Sequence, residues 1–437
     1  MVHDDALLLP VDRDSVATLA DRGLRMAVVD RADRAAWTAW VRADARGFHD
    51  PEPTDEGLEA LAVDVPLQRT VGVYDAALDD PAVPVATVSA WPAALTVPGG
   101  ELGAWAISSV TVAPTHRRRG VARAMLESEL RTAVAAGIPL AILTVSETTI
   151  YARYGFGPAT WSTDLTIDAR RAGWVGGEAP GRLQLVDRDS AIATGEHLLV
   201  EARRGTVGDV EVVGHRFPRL FGPAADPAET RRRRFVRYDD EQGVTRGLAV
   251  YRMVEDPTDF AGFTAEVTSL VSTTDDAYRA LWRFLLSLDL VGTVRAPLRA
   301  LDEPLRWLVR DPRMIRTTEL REHLWVRVLD PVVALGARSY GGPGRLGLRI
   351  TDPLGHAEGA YTLDVDEAGR ATAVAGEPQD GPLLDLPVDA LGSLYLGGAS
   401  AVTLAAAGRL GERTPGDAVI ADRLLRSPTT PALMTWF

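Results

Sequence analysis

The stretch from Ala104 to Val145 constrains the fold more than any other part of the chain. "AWAISSVTVAP" is a β-branched, alternating run that stops at Pro114. A basic turn, "THRRRG", follows, and from Arg119 to Ala135 apolar residues recur at Ala122, Leu126, Leu130 and Val134, joined by Met125 and Ala133. That spacing predicts one face of an amphipathic helix. "GIPLAILTV" then supplies a helix stop and a second buried strand. Strand, tight turn, helix and strand form a βαβ-like unit, and a crossover of this length lays the second strand parallel to the first.

The turn admits two readings. A helix N-terminus offers unpaired N–H groups and a partial positive charge, a setting suited to a diphosphate. Gly120 lets a ligand approach the backbone, Ala122 keeps the next turn clear, and Arg117 and Arg118 add charge-assisted contacts. The other reading is an exposed basic turn, but the strand before it and the helix and strand after it favour the anion site. Phe263 to Ala300 repeats the rhythm with "STTDDAY" as its turn. Asp275 and Asp276 cap a helix well there but repel a phosphate, which indicates a second copy of the fold without the anion site.

Upstream, "RAAWTAWVRADARGF" (Arg34 to Phe48) has helical spacing and runs into an acidic, proline-broken loop, "HDPEPTDEGLE"; strands are expected at Thr70 to Tyr74 and Val85 to Trp91. From about Leu324 the pattern changes to "LWVRVLDPVVAL", "GRLGLRITDP" and "AEGAYTLDVDEAG", strand-like runs between Gly and Asp-Pro turns, and then to a helical region from Asp389 to Leu410. With 437 residues the chain is too long for one core, and three domains are expected.

Composition removes several classes of function. There is no cysteine, hence no disulfide, thiolate nucleophile or Cys-based metal site. Seven scattered histidines without an H-x-x-x-H pair argue against a zinc enzyme, so no metal is expected. All 47 basic residues are arginine, which excludes a Schiff-base lysine. A net charge of −13 makes nucleic acid a poor partner and would draw in a cationic one, although acidity also simply aids solubility. The run "RRRRF", Arg231 to Phe235, is read as a solvated helix face or subunit contact. No run is long and apolar enough for a membrane span, and the acidic N-terminus lacks a signal-peptide pattern, so a cytoplasmic location is expected.

"R-R-R-G-V-A" after "V-T-V-A-P" resembles the pyrophosphate loop of GCN5-related N-acetyltransferases (GNAT). The longer "VAPTHRRRGVARAM", with "SETTIYARYGFGPAT" after it, resembles more narrowly the Eis (enhanced intracellular survival) family, whose C-terminal region "LGSLYLGGASAVTLAAAGRL" also resembles. The resemblance implies an α/β (α+β) architecture of tandem GNAT folds, active over residues 1–165 and degenerate over 166–315, then a sterol-carrier-protein-like α+β domain over 316–437. It implies an acetyl-CoA-dependent N-acetyltransferase that acetylates primary amines of aminoglycoside-like polyamines, possibly at several positions, by direct transfer in a ternary complex. A homo-hexamer is also implied.

Residue by residue, the resemblance puts the backbone of Val110, Thr111 and Val112 along the pantetheine arm. It puts Arg117, Arg118, Gly120, Val121 and Ala122 around the pyrophosphate and Ser146 in the cofactor cleft. Tyr151 becomes the general acid, since a phenol can protonate a departing thiolate; the alternative is an aromatic packing beside Tyr154 and Phe156. The proton acceptor becomes the α-carboxylate of Phe437, where "MTWF" alternatively reads as a hydrophobic plug. Asp50 aligns with the amine-binding aspartate, against the alternative of a solvated acidic loop. Two positions depart from the family pattern: Trp436 stands where members carry a glutamate, and Ser109 where an aromatic is expected beside the loop. Two other functions stay open: a protein-lysine acetyltransferase, and a lipid-binding protein with a vestigial transferase site.

Overall fold

The computed structural model describes residues 4–64, 68–212, 220–222 and 227–437 and divides into two compact units. One holds Met1–Ala159, Leu324–Pro428 and Phe437; the other holds Thr160–His323 and Thr429–Trp436.

The first unit carries β1 (Leu24–Val28), β2 (Arg69–Asp75), β3 (Ala86–Val97), β4 (Gly100–Val112) and β5 (Leu140–Thr144) side by side. The strand Leu324–Val328 and the short strand Gly157–Pro158 follow in the same sheet. Only β4 and β5 run parallel, as the βαβ reading predicts. Its helices are α1 (Arg13–Ala20), α2 (Arg34–Gly47), α3 (Asp55–Asp64) and α4 (Val121–Ala135).

β2 is buried at six successive residues, Arg69 to Tyr74, because the sheet is covered on both faces. Leu19 of α1 and Met125, Leu126 and Leu130 of α4 join Val71 and Val73 in the main core. Trp37 and Trp40 of α2 pack with Val29 and Leu58 in a smaller cluster, and the Trp40 indole N–H donates to the Val71 carbonyl at 2.8 Å.

The helix at 121–135 forms where its periodicity predicts, but Val134 is exposed and Ala122 only half-buried. A strict four-residue step advances 400° against a 360° turn, so the ends of such a stripe drift off the buried face. Glu129 is buried in the centre of that face, 3.2 Å from the equally buried Arg69 and 3.2 Å from the Trp105 indole nitrogen. Burial raises the Glu129 carboxyl, while the Arg69 charge and its hydrogen bonds pull it back. The pair ties the middle of α4 to β2 and β4. Glu129→Ala leaves Arg69 buried without its counter-charge and is expected to cost about 3–5 kcal/mol in urea unfolding. A loss below about 1 kcal/mol would show that the pair does not position the helix.

The acidic loop is shorter than its composition implies. Asp55 and Glu56 form the first turn of α3, where acids favour the helix dipole, and Thr54 Oγ1 caps the Gly57 N–H at 3.1 Å. The strand at 324–328, expected to open the C-terminal part, instead completes the first sheet by pairing with β5. "PVVALG" is a helix, Pro331–Gly336: Asp330 accepts from the Val333 N–H and Pro331 sits at the first helical position. The rest of that region builds a five-stranded sheet, and Asp389 to Leu410 breaks into helices Val388–Tyr395 and Ala401–Ala406 around Gly397, whose φ is +79°. Arg327 and Asp352, both fully buried 2.6 Å apart, join this region to the first sheet.

The second unit repeats the first unit's parallel feature. Its seven-stranded sheet contains β6 (Phe263–Ser272) and β7 (Val291–Arg299), parallel neighbours joined by α5 (Asp275–Leu286). The "RRRRF" run is not one helix face. A helix ends at Arg232 and a strand starts at Arg233; Arg233 pairs with Glu229 at 3.6 Å and Phe235 is buried.

Candidate active site

β4 and β5 pair only over Ala104–Ala106 and Leu140–Ile142. Beyond that point β4 carries a bulge: Thr87 faces Thr111 and Ser89 faces Ser108, so Ser109 and Val110 together oppose Val88. Ser109 has φ +55°, and its carbonyl accepts the Thr87 hydroxyl at 2.9 Å. Bulges bend and re-aim a strand. Here the two parallel strands diverge, and among the described residues the edge of β4 through Val110, Thr111 and Val112 has no strand on its β5 side. An amide-bearing chain laid along that edge would find unpaired backbone donors and acceptors.

The turn after β4 is braced from behind. His116 is buried with Nε2 3.0 Å from Asp75 Oδ2, and Arg119 lies 3.5 Å from the same carboxylate. The Ala77 N–H, then the His116 imidazole, hold the Asp75 carboxyl below its ordinary range. Arg22 donates to the Arg119 carbonyl, and Arg119 donates back to the Arg22 carbonyl at 3.1 Å. Arg118 and Gly120 both have left-handed φ, +61° and +72°. The left-handed backbone at position 120 favours glycine, and the movable tip of the Arg22 guanidinium lies where a side chain would begin.

No side chain caps α4; Gly120 stands at its N-cap. The N–H groups of Val121 and Ala122 therefore face outward with the helix dipole behind them. Arg117 and Arg118 are exposed and have no carboxylate partner among the described residues, whereas Arg119 is committed to Asp75. Two uncommitted guanidinium groups beside an uncapped helix start are an arrangement that suits an anion. Arg117→Ala and Arg118→Ala are each expected to raise KM for a diphosphate-bearing cosubstrate roughly tenfold with kcat little changed. A KM unchanged in the double variant would show the cradle to be an ordinary turn.

Tyr151 is 6% exposed. Burial raises its phenol above the ordinary value, partly offset by the hydrogen bond with Ser146, so the hydroxyl is protonated at neutral pH. Its ring meets Phe156 edge-on at 6.3 Å, so the packing expected of it is present as well. Thr144, the last residue of β5, donates its hydroxyl to a Phe437 oxygen at 2.7 Å, and the Phe437 ring stands edge-on to Trp91 at 5.7 Å. The end of β5 thus holds Phe437 on one side and leads through Ser146 to Tyr151 on the other.

Asp50 is exposed in the turn after α2. Gly47, three residues earlier, lies so close to the Thr111 side chain that a Cβ would collide with it, which brings this turn up to the free edge of β4. Glu52 and Asp55 are drawn to Arg42, at 3.3 and 3.9 Å, leaving Asp50 with no cationic partner among the described residues. Trp436 lies in the second unit, half-exposed, 4.3 Å from the His323 ring and 5.9 Å from Arg321. His323 Nε2 lies 2.8 Å from the Thr435 carbonyl, and burial pushes its pKa down to about 4, so the neutral ring donates there.

Sequence reasoning missed the supports. Arg22, Asp75, His116, Trp91 and Thr144 each lie far along the chain from what they hold, and no local spacing marks them. Among the described residues no group of three or more His, Asp or Glu side chains could hold a metal, and no helix is long and apolar enough to cross a membrane.

Residues 28–159 and 218–328 each match an acetyltransferase (GNAT) domain, and 332–434 match a sterol carrier protein domain. An uncharacterised N-acetyltransferase of Streptomyces avermitilis is 38% identical over 90% of this chain and 94% of its own. The N-acetyltransferase Eis of Mycobacterium tuberculosis is 34% identical over 72% of this chain and 76% of its own. The chain belongs to the Eis family of N-acetyltransferases. The crystal structure of Eis1 from Mycobacterium abscessus superposes with a TM-score of 0.78 at 29% identity, covering 95% of this chain and all of that one. This Eis-family protein is therefore an acetyltransferase built from two GNAT domains and a sterol-carrier-like domain, as the motifs imply. GNAT enzymes use acetyl-CoA, and the residues present fit it: a free strand edge for its amides and an uncapped, arginine-flanked helix start for its diphosphate.

Proposed function

We propose that this protein acetylates primary amines of cationic, aminoglycoside-like polyamines, at more than one position, by direct transfer in a ternary complex. Val110, Thr111 and Val112 hold the pantetheine amides, and Arg117, Arg118, Gly120, Val121 and Ala122 hold the diphosphate. Acetyl-CoA, when bound, supplies an activated acetyl group; the chain's own residues handle protons and orientation. Asp50 holds the ammonium of the acceptor. The α-carboxylate of Phe437, kept in place by Thr144 and Trp91, orients the amine and takes its proton as the carbon–nitrogen bond forms. Tyr151 gives its hydroxyl proton to the sulfur as the carbon–sulfur bond breaks. With no cysteine in the sequence, no thiol of the enzyme is available to carry the acetyl group.

One observation carries the reading: the diverging parallel strands open directly beside a helix start with two unpaired arginines. The deciding experiment offers kanamycin and a lysine peptide side by side as acceptors, with free CoA and acetylated product both quantified. Turnover of kanamycin at several amines supports the proposal; turnover confined to the peptide replaces it with protein-lysine acetylation. No turnover of a broad amine panel, with no calorimetric signal for acetyl-CoA, leaves a vestigial site and lipid handling by the C-terminal domain. Assembly as a homo-hexamer and a cytoplasmic location complete the proposal; light scattering at six times the protomer mass checks the first.

A further inference from the structure

The second GNAT domain keeps the cleft and loses the cradle. β6 and β7 pair only over Phe263–Glu266 and Val291–Arg295 and then diverge, as β4 and β5 do. β6 also carries a bulge just past its paired stretch: Val267 faces Tyr251 and Ser269 faces Val250, leaving Thr268 without an opposite residue. Among the described residues the edge Val267–Ser272 therefore has no strand on its β7 side. It opens into a cavity of about 460 Å³ whose far wall is Pro297–Ala300 and whose flank is the helix Arg188–Gly205. That volume lies in the range of small-ligand pockets.

Chemistry at the two ends narrows the occupant. At the start of α5, Thr274 already caps the Ala277 N–H, and Asp275 and Asp276 fill the first turn, so a phosphate is repelled. Inside, Glu303 is neutralised by Arg299 at 3.0 Å and accepts the Tyr278 hydroxyl at 2.5 Å. The remaining lining carries Glu196, Asp209 and Glu211 against Arg203 alone, a surplus of negative charge. Asp209 is half-buried and accepts the Val210 N–H at 2.8 Å; desolvation pushes its carboxyl up to about 7 against the pull of that N–H and of Arg203. An arriving cation would restore the charge that burial withdraws.

We propose that the cleft of the second GNAT domain is a binding site for a short, extended peptide with a cationic side chain and no phosphate. Its amides pair with the free edge at Val267–Ser272, and its cation sits against Asp209. This site is independent of acetyl transfer in the first domain.

The test titrates the full-length protein, with CoA in excess, with acetyl-Ala-Lys-Ala-amide, its norleucine analogue and 4′-phosphopantetheine, by calorimetry. The lysine peptide is expected to bind with Kd in the range of about 0.1–1 mM, the norleucine peptide about fivefold more weakly, and phosphopantetheine weakest. Leu199→Trp, which fills the cavity, is expected to weaken the lysine peptide about tenfold with acetyl-transfer turnover unchanged. Asp209→Asn should weaken the lysine peptide several-fold and the norleucine peptide little, and it carries the test should Leu199→Trp lose turnover through misfolding. No saturable binding of the lysine peptide, tighter binding of phosphopantetheine, or equal affinities in wild type and a folded variant would each overturn the proposal.

Discussion

Tyr151→Phe is expected to lower kcat for acetyl transfer by roughly 10²-fold while leaving Kd for acetyl-CoA unchanged. The substitution removes one oxygen and keeps the ring that meets Phe156, so packing survives. What is lost is a proton held ready: burial keeps the phenol neutral well above physiological pH, and the Ser146 contact fixes its direction. Because the hydroxyl stays protonated, the wild-type kcat should show no alkaline fall from this group below about pH 10. Calorimetry with acetyl-CoA beside steady-state kinetics separates the outcomes. Parallel loss of affinity and turnover would assign Tyr151 to binding, and full activity would remove it from the chemistry.

Adding one glycine after Phe437 is expected to reduce kcat by about 10²-fold. Thr144 Oγ1 and Trp91 hold Phe437 at the end of β5. The extra residue turns the α-carboxylate there into a neutral amide and moves the terminal charge by up to about 3.5 Å. A C-terminally amidated protein keeps the length and removes only the charge. If amidation and extension are equally damaging, the carboxylate matters; if only extension damages, the effect is steric; if neither does, Phe437 is a plug.

The chemistry-bearing segment was readable because it is local. Strand, turn, helix and strand follow one another within 42 residues, and each is marked by its own periodicity, proline or glycine. The helix at 275–286 and its parallel flanking strands were readable for the same reason. What stayed hidden depends on residues distant in sequence. Glu129 looks like a break in an apolar face until Arg69 is placed opposite it. Asp75 and His116 look like ordinary polar residues until the end of β2 meets the turn after β4. The bulge at Ser109 has no signature, because nothing in a serine announces the left-handed φ it adopts there. Composition misled where charge was taken for loop: Asp55 and Glu56 are acidic because a helix starts there.

The strand at 324–328 has a consequence for synthesis on the ribosome. β5 acquires its second neighbour only from a segment made about 180 residues later, on the order of ten to forty seconds at ordinary elongation rates. Until then the nascent acetyltransferase domain shows a bare, apolar strand border next to its own reaction centre, the kind of surface that recruits chaperones or sticks to another chain. A fragment ending at residue 165 is expected to be insoluble, and to become soluble when residues 316–437 are co-expressed with it. Solubility of the fragment alone would mean that the first sheet closes without its late partner.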